Sequence, residues 1–428
     1  MKVLVVGGGG REHALCWALR RSPDLGQLYC APGNPGTSAI ARNVPVAADE
    51  VQRLADLAAE LEIDLTVVGP ELPLALGIVD EFRERGLRIF GPSQHAAQLE
   101  SSKVFAKEFM VRHGIPTAPF QVVHNAKEAK RAARSLGLPV VLKADGLAAG
   151  KGVLIVRDRR ELKRALSVFF EERRFGGAAG RVLVEKCLEG EEVSLIALAD
   201  GRRLLPLAPA KDYKRVGDGD QGPNTGGMGS HSPSGVLGSE QAAEVLDRVL
   251  LPTLEGMAQE NQPFEGVLYA GLMLTAEGPQ VLEFNVRLGD PEAQSVLLRL
   301  EDDLLSVLLA GAERRFDRPR LQFRQEASAC LVLASRGYPD KPIDGDPIEG
   351  LEEASALPGV EIFHAGTALR DGRVVSAGGR VLNVCALGPD LRGALLTAYE
   401  ASRLVRWPNK MLRRDIGRRV LERLFGTP

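Results

Sequence analysis

Along the first hundred residues, short and almost wholly apolar runs alternate with stretches of helical periodicity. The runs stand near 2–6, 27–30, 64–68 and 88–90, and helical spacing recurs over 11–21 and 51–61. Strand–helix alternation of this length predicts a doubly wound parallel sheet. Such sheets take ligands at the carboxyl ends of their strands, where this chain carries GGGGREH, APGNPGT, GPE and GPS.

The texture changes near Ser101. Helices are expected over 103–113 and 127–136, with strands at 120–123 and 139–144. The glycine loop GLAAGKG (146–152) runs straight into the apolar run GVLIV, so it joins two strands of a hairpin. Strands follow at 181–186 and 192–200. The glycine-dense stretch 211–229, KDYKRVGDGDQGPNTGGMG, reads as a long functional loop. A second hairpin spans 266–276 and 279–287, and a helix is expected over 291–300. From about Gln325 the pattern gives strands at 327–334 and 374–386 and a long helix over 392–405.

Composition narrows the functions available to a chain of 428 residues with 44% hydrophobic and 26% charged positions. Lys plus Arg total 54 against 56 Asp plus Glu, a net charge of −2 that argues against nucleic-acid or membrane-surface partners. No apolar run reaches the roughly 18 residues of a spanning helix, and the apolar start is too short for a signal peptide. Five dispersed cysteines without a CxxC pair predict reduced thiols and a cytoplasmic setting.

Two glycine motifs invite readings that their spacing rejects. The dinucleotide fingerprint needs a third glycine where Glu12 or His13 stands. What survives at GGGGREH is a helix N-terminus fit for a phosphate, with Arg11 as a charge-assisted contact. The P-loop needs a glycine at Asp145 and a Ser or Thr at Gly152, so GLAAGKG is expected instead to fold over a triphosphate as a backbone lid. Lys143, inside the apolar strand before it, needs a partner or a cavity because burying it unpaired is costly. In LEFNVRLGDPE, period-two alternation puts Glu283, Asn285 and Arg287 on one face. An acid beside an amide supplies the hard oxygen ligands that magnesium requires when it bridges phosphates, and Arg287 could fork onto a carboxylate or phosphate. The six histidines show no ligand spacing; His13 alone sits in the phosphate-seat helix.

Taken in order, GGGGREHA, GNPGT, GPE, KADGLAAGKGV, GPNTGGMG and LEFNVRLGDPEAQ resemble the glycinamide ribonucleotide synthetase family of ATP-grasp ligases over the whole chain. The resemblance implies an α/β multidomain fold: an N-terminal phosphoribosylamine domain (1–101), a two-part ATP-grasp unit (102–324, with 120–190 as a mobile lid) and a C-terminal α+β domain (325–428). It implies ATP-dependent ligation of glycine to phosphoribosylamine in purine biosynthesis, with ADP and phosphate as by-products of a glycyl phosphate route.

Residue by residue, the resemblance assigns Lys103 and Lys143 to the phosphates and Gly150, Lys151 and Gly152 to the lid. Glu185, Lys186 and Leu188 would line adenine, and Glu192 rather than Glu191 would meet the ribose. Glu283 and Asn285 match ligands of Mg2+ or Mn2+. Asp212 and Arg287 would hold glycine's amine and carboxylate, so Arg287, Lys143 and Asp212 are the catalytic candidates. Gly10, Arg11, Glu12, His13, Asn34 and Glu71 are expected to face phosphoribosylamine. Two departures stand out: Gly271 occupies the place of a further metal carboxylate, and Tyr213 that of a histidine. Small-molecule substrates are the only partners implied, with no nucleic acid and no membrane, and a monomer is the expectation carried forward. The rival readings were a biotin-carboxylase-like or formate-using ATP-grasp ligase, a nicotinamide dehydrogenase and a non-catalytic nucleotide-binding module.

Overall fold

In strand Lys2–Gly7, Val3 to Val6 are inaccessible to solvent. Leu4 and Val6 enter one core while Val3 and Val5 enter another, as expected of a strand covered on both faces. The strand pairs in parallel with Gln27–Pro32 on one side and Leu65–Val68 on the other. Arg42–Asn43 and Ile89–Phe90 complete a five-stranded parallel sheet. This is the N-terminal doubly wound sheet anticipated from the alternation. The structure, a computed structural model, describes residues 1–147, 152–172 and 180–425.

An antiparallel sheet of four strands follows, in the order Phe120–Val123, Val182–Lys186, Val140–Ala144, Val153–Val156. It has its own core of Val123, Ala129, Leu142, Val156, Phe169 and Val184, among others. A second antiparallel sheet orders Leu204–Pro206, Glu191–Asp200, Glu265–Thr275 and Gly278–Asn285. Its apolar faces run into the two cores of the first sheet. Helix Glu292–Arg299, buried along its whole length, packs against helix Gly10–Leu19 and against strands of a third sheet. That third sheet joins Ala327–Ser335, Arg380–Gly388 and Val360–His364 to the short strands Lys211–Asp212 and Gly229–Ser232. It therefore crosses the division placed at 324/325.

Two expectations need correction. Residues 211–229 are largely ordered into short strands, with Arg215–Gly217 and Gln221–Asn224 forming a hairpin. The run 374–386 is two strands, Arg373–Ser376 and Arg380–Gly388. Between them Gly379 lies so close to Tyr338 that a Cβ would stand 2.2 Å from its ring. Among the described residues no helix is long and apolar enough to cross a membrane.

Three histidines are held in neutral form, and two of them, His13 and His364, link the N-terminal and C-terminal domains. His13 Nδ1 accepts the His364 backbone amide (2.8 Å) and its ring meets Phe363 edge-on at 5.4 Å. His231 Nδ1 donates to the Pro233 carbonyl (2.9 Å), which leaves Nε2 as acceptor for the Tyr213 hydroxyl (3.1 Å). Burial lowers the pKa of His13 to about 3, with His364 adding to the effect, and burial lowers that of His231 to about 4. The unfolded histidines bind protons below about 6.5 and the folded ones do not, so stability is complete above that pH and falls as pH drops. Between pH 7 and pH 5 each should cost about 2 kcal/mol. Chemical denaturation at the two pH values measures the loss, and His231→Gln should reduce it.

Candidate active site

The edge strand Gly278–Asn285 carries a bulge. Gly271 pairs with Glu283 and Leu272 with Val281, so Leu282 is the extra residue. Extra residues of this kind re-aim the side chains that follow, and here Glu283, Asn285 and Arg287 resume alternation beyond it. The Leu282 carbonyl accepts the Lys143 ammonium at 3.0 Å. Lys143 and Lys107 both pair with the buried carboxylate of Glu185, the Lys107 contact being 2.6 Å. Burial opposes ionisation of Glu185, but the two lysines outweigh it and hold its pKa below the usual range. Burial in turn lowers Lys107 to about 8 against the pull of Glu185. Lys103 donates to the Gly146 carbonyl (3.2 Å), at the root of the glycine loop.

Glu283 concentrates the charge of this cleft. Burial would raise its carboxyl, yet Lys214, Lys143, Lys103 and Arg287 together bring it to about 2. Lys214 stands 3.5 Å from Glu283 and also pairs with Glu192. Glu191 pairs instead with Lys211 and Arg423, both at 2.7 Å, so of the two neighbouring acids only Glu192 shares its lysine with Glu283. Arg287 forks between Glu100 (2.9 Å) and Glu71 (3.3 Å) and donates to the Asn285 side-chain oxygen (3.1 Å). Asp212 is buried and its Oδ1 has no hydrogen-bond partner among the described residues. Burial and the nearby Glu292 push its carboxyl well above the usual range. Glu292 accepts the Tyr269 hydroxyl (2.8 Å), which also bonds Ser194 (2.6 Å).

The N-terminal loops arrive at the same place, though with their polar atoms largely engaged. Glu12 accepts the Gly9 amide and the Arg11 Nε, each at 2.6 Å. Arg11 also donates to the Leu288 carbonyl (3.1 Å). The Asn34 amide donates to the Gly8 and His364 carbonyls and accepts the amides of Gly36 and Thr37. At Gly10 a Cβ would lie 2.1 Å from the Asn383 side-chain nitrogen. Thus Gly10, Glu12, His13 and Asn34, expected to face the amine substrate, fasten this loop to itself and to the C-terminal sheet. Glu71 differs: its partner is Arg287, across the domain junction.

At the other end, the amides of Lys186 and Cys187 donate to the Pro119 and Pro139 carbonyls. The Leu188 amide has no acceptor among the described residues. Glu185, expected at the adenine, is a counter-ion to two lysines. Gly152 accepts the Ala144 amide across the hairpin (2.9 Å), while Gly150 and Lys151 lie outside the described residues. Tyr213 points away from the cleft, into the C-terminal sheet.

Sequence reasoning missed Lys214, Lys107, Glu100, Tyr269 and Glu292. For Lys214 a signal existed: in KDYKR it lies two positions from Asp212, hence on the same side of an extended chain. The others are single residues whose partners lie far away in sequence.

No cluster of three His, Cys, Asp or Glu side chains suited to a metal occurs among the described residues. Glu283 and Asn285 offer two oxygen donors on one face, and Gly271, opposite Glu283, offers none. Two protein ligands suit a magnesium-like ion that completes its shell with water and substrate phosphates, so the donors present fit such a group.

Known proteins resemble the chain along its whole length. The phosphoribosylglycinamide synthetase N domain matches residues 1–100, the ATP-grasp (A) domain 101–293 and the C domain 328–419. Phosphoribosylamine–glycine ligase of Brucella melitensis is 48% identical over 423 residues, 99% of each chain. Its counterpart in Pseudomonas aeruginosa is 47% identical over 429 residues, 100% of each. The crystal structure of phosphoribosylamine–glycine ligase from Thermotoga maritima superposes with a TM-score of 0.85 at 35% identity, covering 97% of this chain and 100% of that one. Biotin carboxylase from Campylobacter jejuni, at 16% identity and a TM-score of 0.73, covers 96% of this chain and 92% of its own and shares the fold. With its three domains matched in order and its relatives matched end to end, the chain belongs to the phosphoribosylglycinamide synthetase family.

Proposed function

We propose that the chain is a carbon–nitrogen ligase of de novo purine biosynthesis. It joins glycine to 5-phosphoribosylamine, giving glycinamide ribonucleotide, ADP and phosphate, in the cytoplasm. The observation that carries this reading is the gathering of Lys103, Lys143, Lys214 and Arg287 around the Glu283 carboxylate, beside Asp212, whose Oδ1 has no hydrogen-bond partner among the described residues. Cations held this way suit a triphosphate, and a buried carboxylate oxygen without a donor suits an ammonium group. Full-length likeness to phosphoribosylamine–glycine ligases supports the choice of substrates.

A free carboxylate is a poor electrophile until it acquires a leaving group. In the proposed route the carboxylate of glycine attacks the γ-phosphate of ATP, forming glycyl phosphate. Lys143, Lys103 and Lys214 offset charge on the phosphoryl oxygens. Asp212 takes the amine of glycine and Arg287 its carboxylate, which fixes the angle of attack. Glu283 and Asn285 would hold Mg2+ or Mn2+, which when bound neutralises phosphate charge. The amine of phosphoribosylamine, brought in along the loops of Arg11 and Glu71, then attacks the acyl carbon and expels phosphate. The glycine loop 146–152 would serve as the lid that keeps water from the intermediate. Glu192 meets the ribose, and the free Leu188 amide can serve adenine.

Lys143→Met should keep the fold, because the stem still packs and Lys107 remains beside Glu185. It should weaken ATP binding at least roughly tenfold by calorimetry, and unchanged affinity would remove Lys143 from the phosphate site.

ADP release that requires glycine and phosphoribosylamine together tests the overall reaction, and labelled oxygen tests the route. Glycine carrying heavy oxygen in its carboxylate should pass one labelled atom to inorganic phosphate per turnover, because that atom becomes the bridge to phosphorus. Glu283→Gln should reduce Mn2+ uptake, read by electron paramagnetic resonance, and lower label transfer and product together. Label in AMP would mean adenylation instead and would overturn the acyl-phosphate route.

A further inference from the structure

Strand residues alternate sides, so Tyr213 faces away from the cleft that Asp212 and Lys214 flank. Its ring lies under the Arg413 guanidinium at 5.2 Å, and its hydroxyl accepts the Gly417 amide at 2.9 Å. Arg413 is 1% exposed, and each of its three side-chain nitrogens has a partner. It forks onto Asp415 (2.8 and 2.9 Å) and reaches Asp220 (2.9 Å) and the Arg215 carbonyl (3.1 Å). Around it the contacts continue in both directions. The Arg414 amide donates to Asp218 (2.7 Å) and the Gly219 amide to Asp415 (2.8 Å). Helix Arg418–Phe425 adds Arg419 to Asp220 (3.0 Å) and Arg423 to Glu191 (2.7 Å).

These contacts converge on one short stretch of backbone. Residues 213–220 are gripped from the C-terminal segment, and Glu191 is drawn off by Arg423. Lys214 is left to Glu192 and Glu283. We propose that residues 413–417 form a clasp that positions Asp212 and Lys214 in the cleft, with Arg413 as the positioning residue. The C-terminal domain thereby acts on the chemistry without touching the reacting atoms. Burying an arginine in this way is costly unless every donor is matched, and the matched donors fix the backbone of the strand that bears both cleft residues. The inference rests on the proposed ligase reaction only for its kinetic consequence.

The test uses the full-length chain with Arg413→Met, and with Arg413→Lys, which keeps the charge but loses the fork. Hydrogen exchange followed by mass spectrometry should quicken roughly tenfold at 211–217 in Arg413→Met and stay unchanged at 140–144. Unchanged exchange at 211–217 would overturn the clasp whatever the enzyme does. In steady-state kinetics, kcat/KM for glycine should fall roughly tenfold, with Arg413→Lys intermediate. A lower melting temperature with unaltered kinetics in the folded protein would make Arg413 a support of the fold alone and overturn the positioning role. Should Arg413→Met fail to fold, Asp220→Asn loosens the clasp from its half-exposed side. It should give the same pattern, smaller, and wild-type exchange and kinetics in that variant would overturn the proposal. Absence of product with the unmodified chain would instead sink the ligase reading, and the exchange result would still judge the clasp.

Discussion

A cleft that gathers several cations in a partly dry setting needs partners for that charge. Charges taken from water without compensation shift or neutralise. The structure meets this constraint with carboxylates. Glu185 holds Lys107 and Lys143, Glu192 and Glu283 hold Lys214, and Glu71 and Glu100 hold Arg287. The carboxylates aim these cations, and those around Lys214 and Arg287 hold both firmly protonated. Asp212 is the exception, a buried acid with an oxygen left unmatched. Burial and the nearby Glu292 raise its pKa, and an arriving ammonium would oppose both.

Placing these groups requires elements from every part of the chain. Helix Glu292–Arg299 acts as a common post: Arg299 reaches Ser232, Ser295 reaches Ser230, and Gln294 reaches Asp290. Asp290 in turn binds Arg380 of the C-terminal sheet, whose guanidinium also meets the Gly226 carbonyl. Gly227 closes over Asp212, where a Cβ would stand 2.7 Å from Oδ1 and 2.4 Å from Pro291. Such closeness admits only glycine, at a φ of +115° that other residues rarely adopt. The glycine-dense string thus reflects packing around a buried acid as much as flexibility.

The sequence made the parallel sheet, both hairpins and the polar face of LEFNVR legible because each depends on local periodicity. Alternation was enough to put Glu283, Asn285 and Arg287 together, although the bulge at Leu282 could not be read from it. A bulge is set by pairing with a strand ten residues away. The glycine string 211–229 hid short strands of two to four residues, too short for a period to show, and the one that anchors them, Gly229–Ser232, pairs with Ala327–Ser335 a hundred residues on. Lys107 and Glu100 sit in helices of ordinary polarity, and their importance arises only from contacts with Glu185 and Arg287. For His13 and Asn34 the sequence could not show the partners they have within the fold. Their motif lies at a strand end where ligands bind, yet the C-terminal segment around His364 takes up their polar atoms.

The four-stranded sheet of residues 120–186 owns a separate core, and its polar links to the rest use the cleft's own cations. Lys143 reaches the Leu282 carbonyl, Lys107 reaches Glu185, and Lys103 reaches the Gly146 carbonyl. A second set of links does not involve them: Asp145 accepts the Ser102 hydroxyl and the Val104 amide. On the proposed reaction, a triphosphate entering the cleft would compete for the first set and leave the second intact. Ligand binding and the seating of this subdomain therefore act on the same lysines, with Asp145 as the fixed point. A phosphate oxygen replacing the Leu282 carbonyl at Lys143 exchanges a neutral acceptor for a charged one, a stronger bond in the same surroundings. The energy that orders the subdomain over the cleft can then come from the nucleotide itself, which ties closure to the presence of the group that must be kept from water.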